Sequence, residues 1–275
     1  RHKISNHELL KSIKKFKKKK ICVIGDLILD NYVYSYPLGM SQEAPTVVIS
    51  PEKEDIFIGG AGIVAAHAAS LSNKTYFFSV LPFKDQNLSF VKNNLNKYKI
   101  DYKFFYQTEN KINFKTKYYV DNNCLLKVSK INKSNLSNNT EKKIINSFKK
   151  ISDVIDLVIF SDFNYGVISK NLIESIKKIC SQKKIIISAD NQTSSQIGDI
   201  TKYKSLDLIT PTEFEARTAL NNSYDGIVEL CNKLLKKSNS KELIVKLNKD
   251  GIIIHKSFIH SKQKILTDRI PALNL

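Results

Sequence analysis

Phe57-Ile-Gly-Gly-Ala-Gly-Ile-Val-Ala-Ala-His-Ala-Ala-Ser-Leu71 runs an apolar strand end into paired glycines and then into a helix of small residues. Gly59, Gly60 and Gly62 tolerate positive φ and leave bare backbone N–H groups at a helix start, where partial positive charge favours an anion or a hydroxyl-rich ligand. The same letters serve two folds. Gly60-Ala-Gly-Ile-Val-Ala65 matches the G-x-G-x-x-A fingerprint of a dinucleotide-binding turn, which would make the chain an NAD-binding oxidoreductase. Otherwise the glycines line a site for a polar ligand, and the neighbouring elements decide.

Upstream, Ile21-Cys-Val-Ile24 is a continuous apolar run closed by Gly25-Asp26, the pattern of a strand buried on both faces of a parallel sheet. Asp26 and Asp30 fall at or just beyond its carboxyl end, the edge where open α/β sheets bind ligands. A loop aspartate capping a turn is the alternative for Asp26. Before this strand, Ser5 or Asn6 can cap a helix with Leu9, Leu10, Ile13 and Phe16 on one face.

Between strand and glycines, Tyr32 to Ile58 breaks the βα rhythm with Pro37, Pro45, Pro51 and the β-branched run Thr46-Val-Val-Ile49, which predicts short strands leaving the main sheet. A dinucleotide fingerprint needs its strand directly before the glycines and a ribose-binding acid at the end of the next one. Here the next strand, Thr75 to Val80, runs into Leu81-Pro82, and Asp85 comes too late.

Downstream, a polar helix around Asp85 to Asn96 precedes Phe104-Phe-Tyr106. Asn113 to Val120 and Cys124 to Val128 then alternate around Asp121-Asn-Asn123, a hairpin signal, and are expected to pair with Thr46 to Ile49 as a small sheet over the main one. From the helix through Ile144 and Phe148 onward, strands Leu157–Phe160, Ile185–Ser188, Leu206–Ile209 and Leu243–Val245 alternate with helices. The fold class is therefore α/β, a mostly parallel sheet with helices on both faces. Asp162, Asp190 and Thr210-Pro-Thr-Glu-Phe-Glu215 all follow strands.

At 275 residues the chain suits one large α/β domain with an excursion. Its net charge of +18 comes from lysines spread through nearly every polar segment, with Lys14 to Lys20 the one cluster, so solvated faces are favoured over a nucleic-acid groove. Neither nucleic acid nor membrane is an expected partner. Cys22, Cys124, Cys180 and Cys231 lie far apart without ligand spacing, which fits reduced thiols in a cytoplasmic protein.

Val23-Ile-Gly-Asp-Leu-Ile-Leu-Asp30, the Gly59-Gly60 helix, Ser161-Asp-Phe-Asn-Tyr-Gly166, Thr210-Pro-Thr-Glu-Phe-Glu-Ala216 and Val245 to Gly251 resemble, in order and spacing, the ribokinase-like (phosphofructokinase-B type) carbohydrate kinases. Among these the likeness is to the heptose-7-phosphate kinase domain of ADP-heptose synthase. The resemblance implies a ribokinase-like fold with a small β lid, here segments 32–58 and 104–130, that covers the sugar and can form a homodimer. It implies ATP and Mg²⁺ as cofactors, a sugar phosphate as substrate, and in some relatives a fused nucleotidyltransferase domain. By the same resemblance Asp26, Asp30 and Asp162 face the sugar, Gly59 and Gly60 let backbone approach it, and Lys115 and Lys117 suit its phosphate. Asp190, Gln192, Thr212, Glu215, Lys246 and Gly251 fall near ATP, with Glu215 holding the metal through water. Exposed strand lysines are the plain alternative for Lys115 and Lys117.

Three departures stand out. Ile63 or Val64 replaces a sugar-binding Asn, Thr212 replaces the Asn of N-x-x-E, and no G-A-G-D occurs, the motif that supplies the anion hole and the proton-accepting Asp. That motif is expected beyond Leu275, which would leave residues 1–275 nearly inactive, because each missing preorganised donor costs about 10²- to 10³-fold in rate. Two other classes remain beside the kinase and the oxidoreductase: a kinase-like sugar-phosphate sensor and a basic nucleic-acid binder.

Overall fold

The computed structural model describes residues 4–108, 111–193, 196–256 and 267–272. Residues 109–110 of the expected second lid segment and the final residues up to Leu275 lie outside the described residues.

Lys20–Gly25 (β1) is the central strand. It pairs in parallel with Lys74–Pro82 (β4) on one side and with Leu157–Asp162 (β8) on the other. Beyond β4 lies Asp101–Thr108 (β5); beyond β8 follow Ile186–Asn191 (β9), Leu208–Ile209 (β10), Glu242–Lys246 (β11), Ile252–Lys256 (β12) and Thr267–Ile270 (β13), a nine-stranded sheet among the described residues. Its strands are parallel from β5 to β11; β12 runs against them, and β13, antiparallel to β12, returns to their direction. The apolar runs read from sequence are these strands, because a strand covered on both sides has no polar alternation to show.

Helices Asn6–Phe16 (α1), Ala61–Leu71 (α2), Leu88–Lys97 (α3), Asn138–Ile151 (α4), Lys170–Lys183 (α5), Glu213–Leu220 (α6) and Ile227–Ser238 (α7) connect the strands. Cys22, Ile24 and Phe160 pack with Ile144, Phe148, Ile173 and Leu234 in one cluster; Val23 and Phe77 pack with Ala65, Val91 and Leu95 in another. Ser5 caps α1 in a reciprocal box with Glu8.

Leu27–Met40 (β2) and Val47–Gly60 (β3) are long antiparallel partners, where sequence predicted short strands. Register shifts between Tyr34 and Ser35 and between Pro37 and Gly39 absorb the irregularity at Pro37 without ending the strand. Asn113–Val120 (β6) and Asn123–Lys130 (β7) complete a four-stranded sheet in the order β3-β2-β6-β7. The hairpin at Asp121 is as expected, but β6 pairs in parallel with β2, not with Val47 to Ile49, which instead faces Met40 to Pro37.

Phe104 to Tyr106 also stands elsewhere than expected. It belongs to β5 at the edge of the large sheet, held by edge-to-face contacts of Phe104 with Phe77 and Phe105 with Phe78. The second segment of the small sheet therefore begins at Asn113.

Candidate functional site

One residue, Asp26, separates β1 of the large sheet from β2 of the small one. Such a direct handover brings the sheets together at the carboxyl end of β1. Gly25 permits it: a Cβ there would stand 1.9 Å from the Ser161 carbonyl oxygen and 2.8 Å from Ala61 Cβ. Gly60, at φ 58°, turns β3 into α2 while the Ala61 N–H donates to the Asp26 carbonyl at 2.9 Å. The glycine run thus follows an antiparallel strand of the small sheet, which is not the parallel βα turn that a dinucleotide fingerprint requires.

Asp26 itself is 1% exposed. Its carboxylate accepts the backbone N–H groups of Phe163 (2.8 Å), Tyr165 (3.4 Å) and Val167 (3.2 Å), pinning the loop after β8. Burial, then the charge of Asp162, pushes its pKa up to about 7, against the pull of those three donors. Asp162 is equally buried. It accepts from the Asn164 N–H (2.8 Å), Asn191 Nδ2 (2.8 Å) and the Tyr203 hydroxyl (2.7 Å), and Lys202 is its counter-ion. Burial and the same carboxylate raise the Tyr203 hydroxyl well above its ordinary pKa. Both carboxylates are hydrogen-bonded within the protein, because acceptors this far from water must be saturated.

Asp30 lies on the more open side of β2, opposite Lys115 of β6, while Tyr32 lies opposite Lys117. The Lys117 ammonium sits 3.8 Å from Asp30 Oδ1, donates to the Tyr32 hydroxyl at 2.9 Å and lies 4.5 Å over the Tyr32 ring. Burial alone would lower the Lys117 pKa, but the Tyr32 hydroxyl and the Asp30 charge outweigh it and leave it raised. Gly59 flanks Asp30: a Cβ there would come within 2.0 Å of Asp30 Oδ2. Lys115 reaches the loop after β8, 5.5 Å over Phe163 and 5.7 Å over Tyr165. The structure therefore brings Asp30, Gly59 and Lys117 together, with Lys115 beside them. Ile63 and Val64 pack against the second apolar cluster.

A second group lines the carboxyl ends of β9 to β11. Asp190 Oδ1 is paired with Lys246 at 2.6 Å and accepts from the Thr210 hydroxyl at 3.1 Å. Thr212 caps α6 in a reciprocal box with Glu215, and a bridge joins it to Lys246. Glu215 is 3% exposed, with Oε2 accepting the Thr212 N–H and Oε1 the Thr193 N–H, both at 2.7 Å. Its first task is therefore to fasten loop to helix. Among the described residues there is no group of three or more His, Cys, Asp or Glu that could hold a metal. The Gln192 N–H donates to the Asp162 carbonyl at 2.8 Å, and its own carbonyl accepts from Asn164 Nδ2 at 3.0 Å. Gly251, at φ 90°, closes the turn from β11 to β12, where a Cβ would meet the Ile270 carbonyl oxygen at 2.1 Å.

Sequence reasoning missed Asn164, Asn191, Lys202 and Tyr203 as partners of Asp162. Asn164 and Asn191 adjoin aspartates already singled out, and that adjacency was the available signal. Lys202 and Tyr203 arrive from a short 3₁₀ turn and carry none.

The family model described as pfkB family carbohydrate kinase matches residues 18–274. Bifunctional protein HldE of Helicobacter pylori (strain HPAG1) is 31% identical over 217 residues, covering 78% of this chain and 46% of that protein. Bifunctional protein HldE of Sulfurimonas denitrificans is 27% identical over 240 residues, covering 86% and 49%. The chain thus spans about half the length of these relatives. Phosphofructokinase-2 from Escherichia coli in complex with substrates and products superposes with a TM-score of 0.72 at 10% identity, covering 94% of this chain and 80% of that one. At that identity the superposition speaks for the fold alone. Among the described residues no helix is long and apolar enough to cross a membrane.

Proposed function

Because the chain belongs to the pfkB family of carbohydrate kinases, we propose that it serves transfer of the γ-phosphoryl of ATP to a hydroxyl of a phosphorylated sugar, a heptose phosphate above all. The carrying observation is the juxtaposition of Asp30, Gly59 and Lys117. A carboxylate is acceptor-only and can take two sugar hydroxyls, a bare glycine edge lets the ring approach the backbone, and an ammonium alongside suits a phosphate. The motif resemblance to heptose-7-phosphate kinase and the likeness to bifunctional HldE proteins favour the heptose.

Asp190, Lys246, Thr212, Gln192 and Gly251 are our candidates for the nucleotide side. Lys246 can exchange part of its contact with Asp190 for a phosphate, since an ammonium donates in three directions. Phosphoryl transfer depends chiefly on positioning and on neutralising charge, which Mg²⁺ supplies when it arrives with the nucleotide. Asp26 and Asp162 keep supporting roles, fixing the loop after β8 under the sugar. No G-A-G-D occurs in residues 1–275, and the relatives called bifunctional are about twice as long as the stretch matched. The small sheet exposes Tyr36, Met40 and Val47, which supports a homodimer through that sheet.

The test is ATP consumption by the parent polypeptide over a panel of sugar phosphates. Turnover restricted to heptose phosphates is expected; no consumption with any sugar phosphate would refute the reading. Residues 1–275 alone should turn over at least 100-fold more slowly, about the cost of one lost preorganised donor.

A further inference from the structure

β5 closes the large sheet on one side. Among the described residues it pairs with β4 and with no other strand, so the outer row of its backbone N–H and C=O groups has no strand partner. Alternation along β5 packs Phe104 edge-on against Phe77 and sends Phe105 to the other face, into the cluster of Ile144 and Phe148 on α4. Lys103 lies on that α4 side, its ammonium 5.7 Å over the Phe105 ring.

A groove of about 470 Å³ is lined by this edge and by α4. Thr140, Lys143, Ser147 and Lys150 face it at the three- and four-residue spacing of one helix side. Phe83 and Tyr106 also line it, with rings stacked 6.4 Å apart and 57% and 38% exposed.

The charge of the groove has one sign. Lys103, Lys143 and Lys150 are exposed, and among the described residues none of them has a carboxylate partner. No acid lines the groove: Glu141 of α4 is buried and accepts from Ser169 and Asn171, and Asp101 of β5 is paired with Lys74 at 2.7 Å. Ser147 is 8% exposed, and its hydroxyl has no hydrogen-bond partner among the described residues, which a buried donor normally has. Lysines cover much of the chain, so charge alone does not single this groove out; the unpaired edge and the unpartnered Ser147 do.

We propose that the groove between β5 and α4 binds an extended acidic segment of a partner protein, which adds to the sheet as a strand beside β5. Backbone pairing with the edge holds the segment, its carboxylates meet Lys103, Lys143 and Lys150, and an apolar side chain rests on Phe83 and Tyr106. A second copy of this chain is disfavoured, because pairing two β5 edges brings like charges together.

The probe is a fluorescein-labelled peptide of eight alternating glutamates and valines, as long as β5, titrated with the protein and read by anisotropy. The same peptide methylated on every amide nitrogen should bind at least about tenfold more weakly, since it cannot pair with the edge. Lys143→Glu with Lys150→Glu should weaken the unmethylated peptide about tenfold, whereas Lys178→Glu with Lys236→Glu, the same reversals on α5 and α7, should leave it within about twofold. Amide hydrogen exchange of residues 103–106 should slow when the peptide is added. No rise in anisotropy, equal affinity of the methylated peptide, or equal weakening by the two pairs of reversals would overturn the proposal. Tighter binding of an eight-nucleotide oligothymidylate would make this a nucleic-acid groove, and protection of the same amides without peptide that is lost on dilution would seat a second copy there; either result also overturns it.

Discussion

Replacing Gly59 with alanine tests whether the glycine pair serves the ligand site or only the chain's course. The new Cβ would lie 2.0 Å from Asp30 Oδ2, 3.0 Å from Asp30 Cγ and 3.6 Å from the Ile28 carbonyl oxygen. Only the Asp30 side chain has to yield, and it must retreat about 1.5 Å to reach ordinary van der Waals separation. Turning a carboxylate off its rotamer costs about 0.5–1.5 kcal/mol, so the fold should survive with a small loss of thermal stability. Ligand affinity should suffer more. Each charge-assisted bond from Asp30 to a sugar hydroxyl is worth about 1.5–3 kcal/mol, a loss of about 10- to 150-fold per bond. Calorimetric titration with a heptose phosphate reads the affinity, and Gly226→Ala, where a Cβ meets nothing within 4 Å, is the control. Unchanged affinity in Gly59→Ala, or weakened affinity in the control, would refute the reasoning.

Gly25→Ala meets backbone at 1.9 Å and should cost about 3 kcal/mol, the upper end of overpacking, read by urea unfolding. Lys202→Met strips the counter-ion from a fully buried Asp162 and should cost about 3–5 kcal/mol in the same assay. Lys117→Met should weaken a sugar phosphate more than the free sugar while leaving the thermal midpoint within a few degrees; equal weakening of both would remove its phosphate role. Asp26 is held at about 7 in the folded chain against an ordinary 3.8, so the folded state binds the extra proton and stability from this group falls as pH rises from about 4 to 7. Asp26→Asn should flatten that part of the unfolding-versus-pH profile, and a slope unchanged from the parent residue would contradict the assignment.

The large sheet was legible because buried parallel strands announce themselves as short apolar runs ending in Gly25-Asp26, Phe160-Ser-Asp162 and Ala189-Asp190. Proline read as a strand breaker was misleading at Pro37 and Pro51, since both tolerate a long ribbon where register shifts relieve the lost donor. The partner of β6 was illegible for a different reason: parallel pairing with β2 spans some eighty residues of chain, and no local turn fixes it. At the site, Gly59 lies beside Asp30, and residue type alone could not separate a half-exposed carboxylate from one that the fold has saturated.

That separation is what burial supplies. Asp26 and Asp30 lie four residues apart in the chain, carry the same group and resemble the same motif, but one is 1% exposed with three backbone donors and the other keeps an oxygen pair beside a lysine at 3.8 Å. A carboxylate tied to three N–H groups can move only by unpairing them, at about 1–3 kcal/mol each, so Asp26 is a fixed anchor. Asp30 can change partners at the cost of one rotamer. The inner acids thus set the position of the loop after β8 and of β2, and the outer acid is left free to meet a ligand, which is why Asp30, and not Asp26 or Asp162, should govern affinity while the other two govern stability.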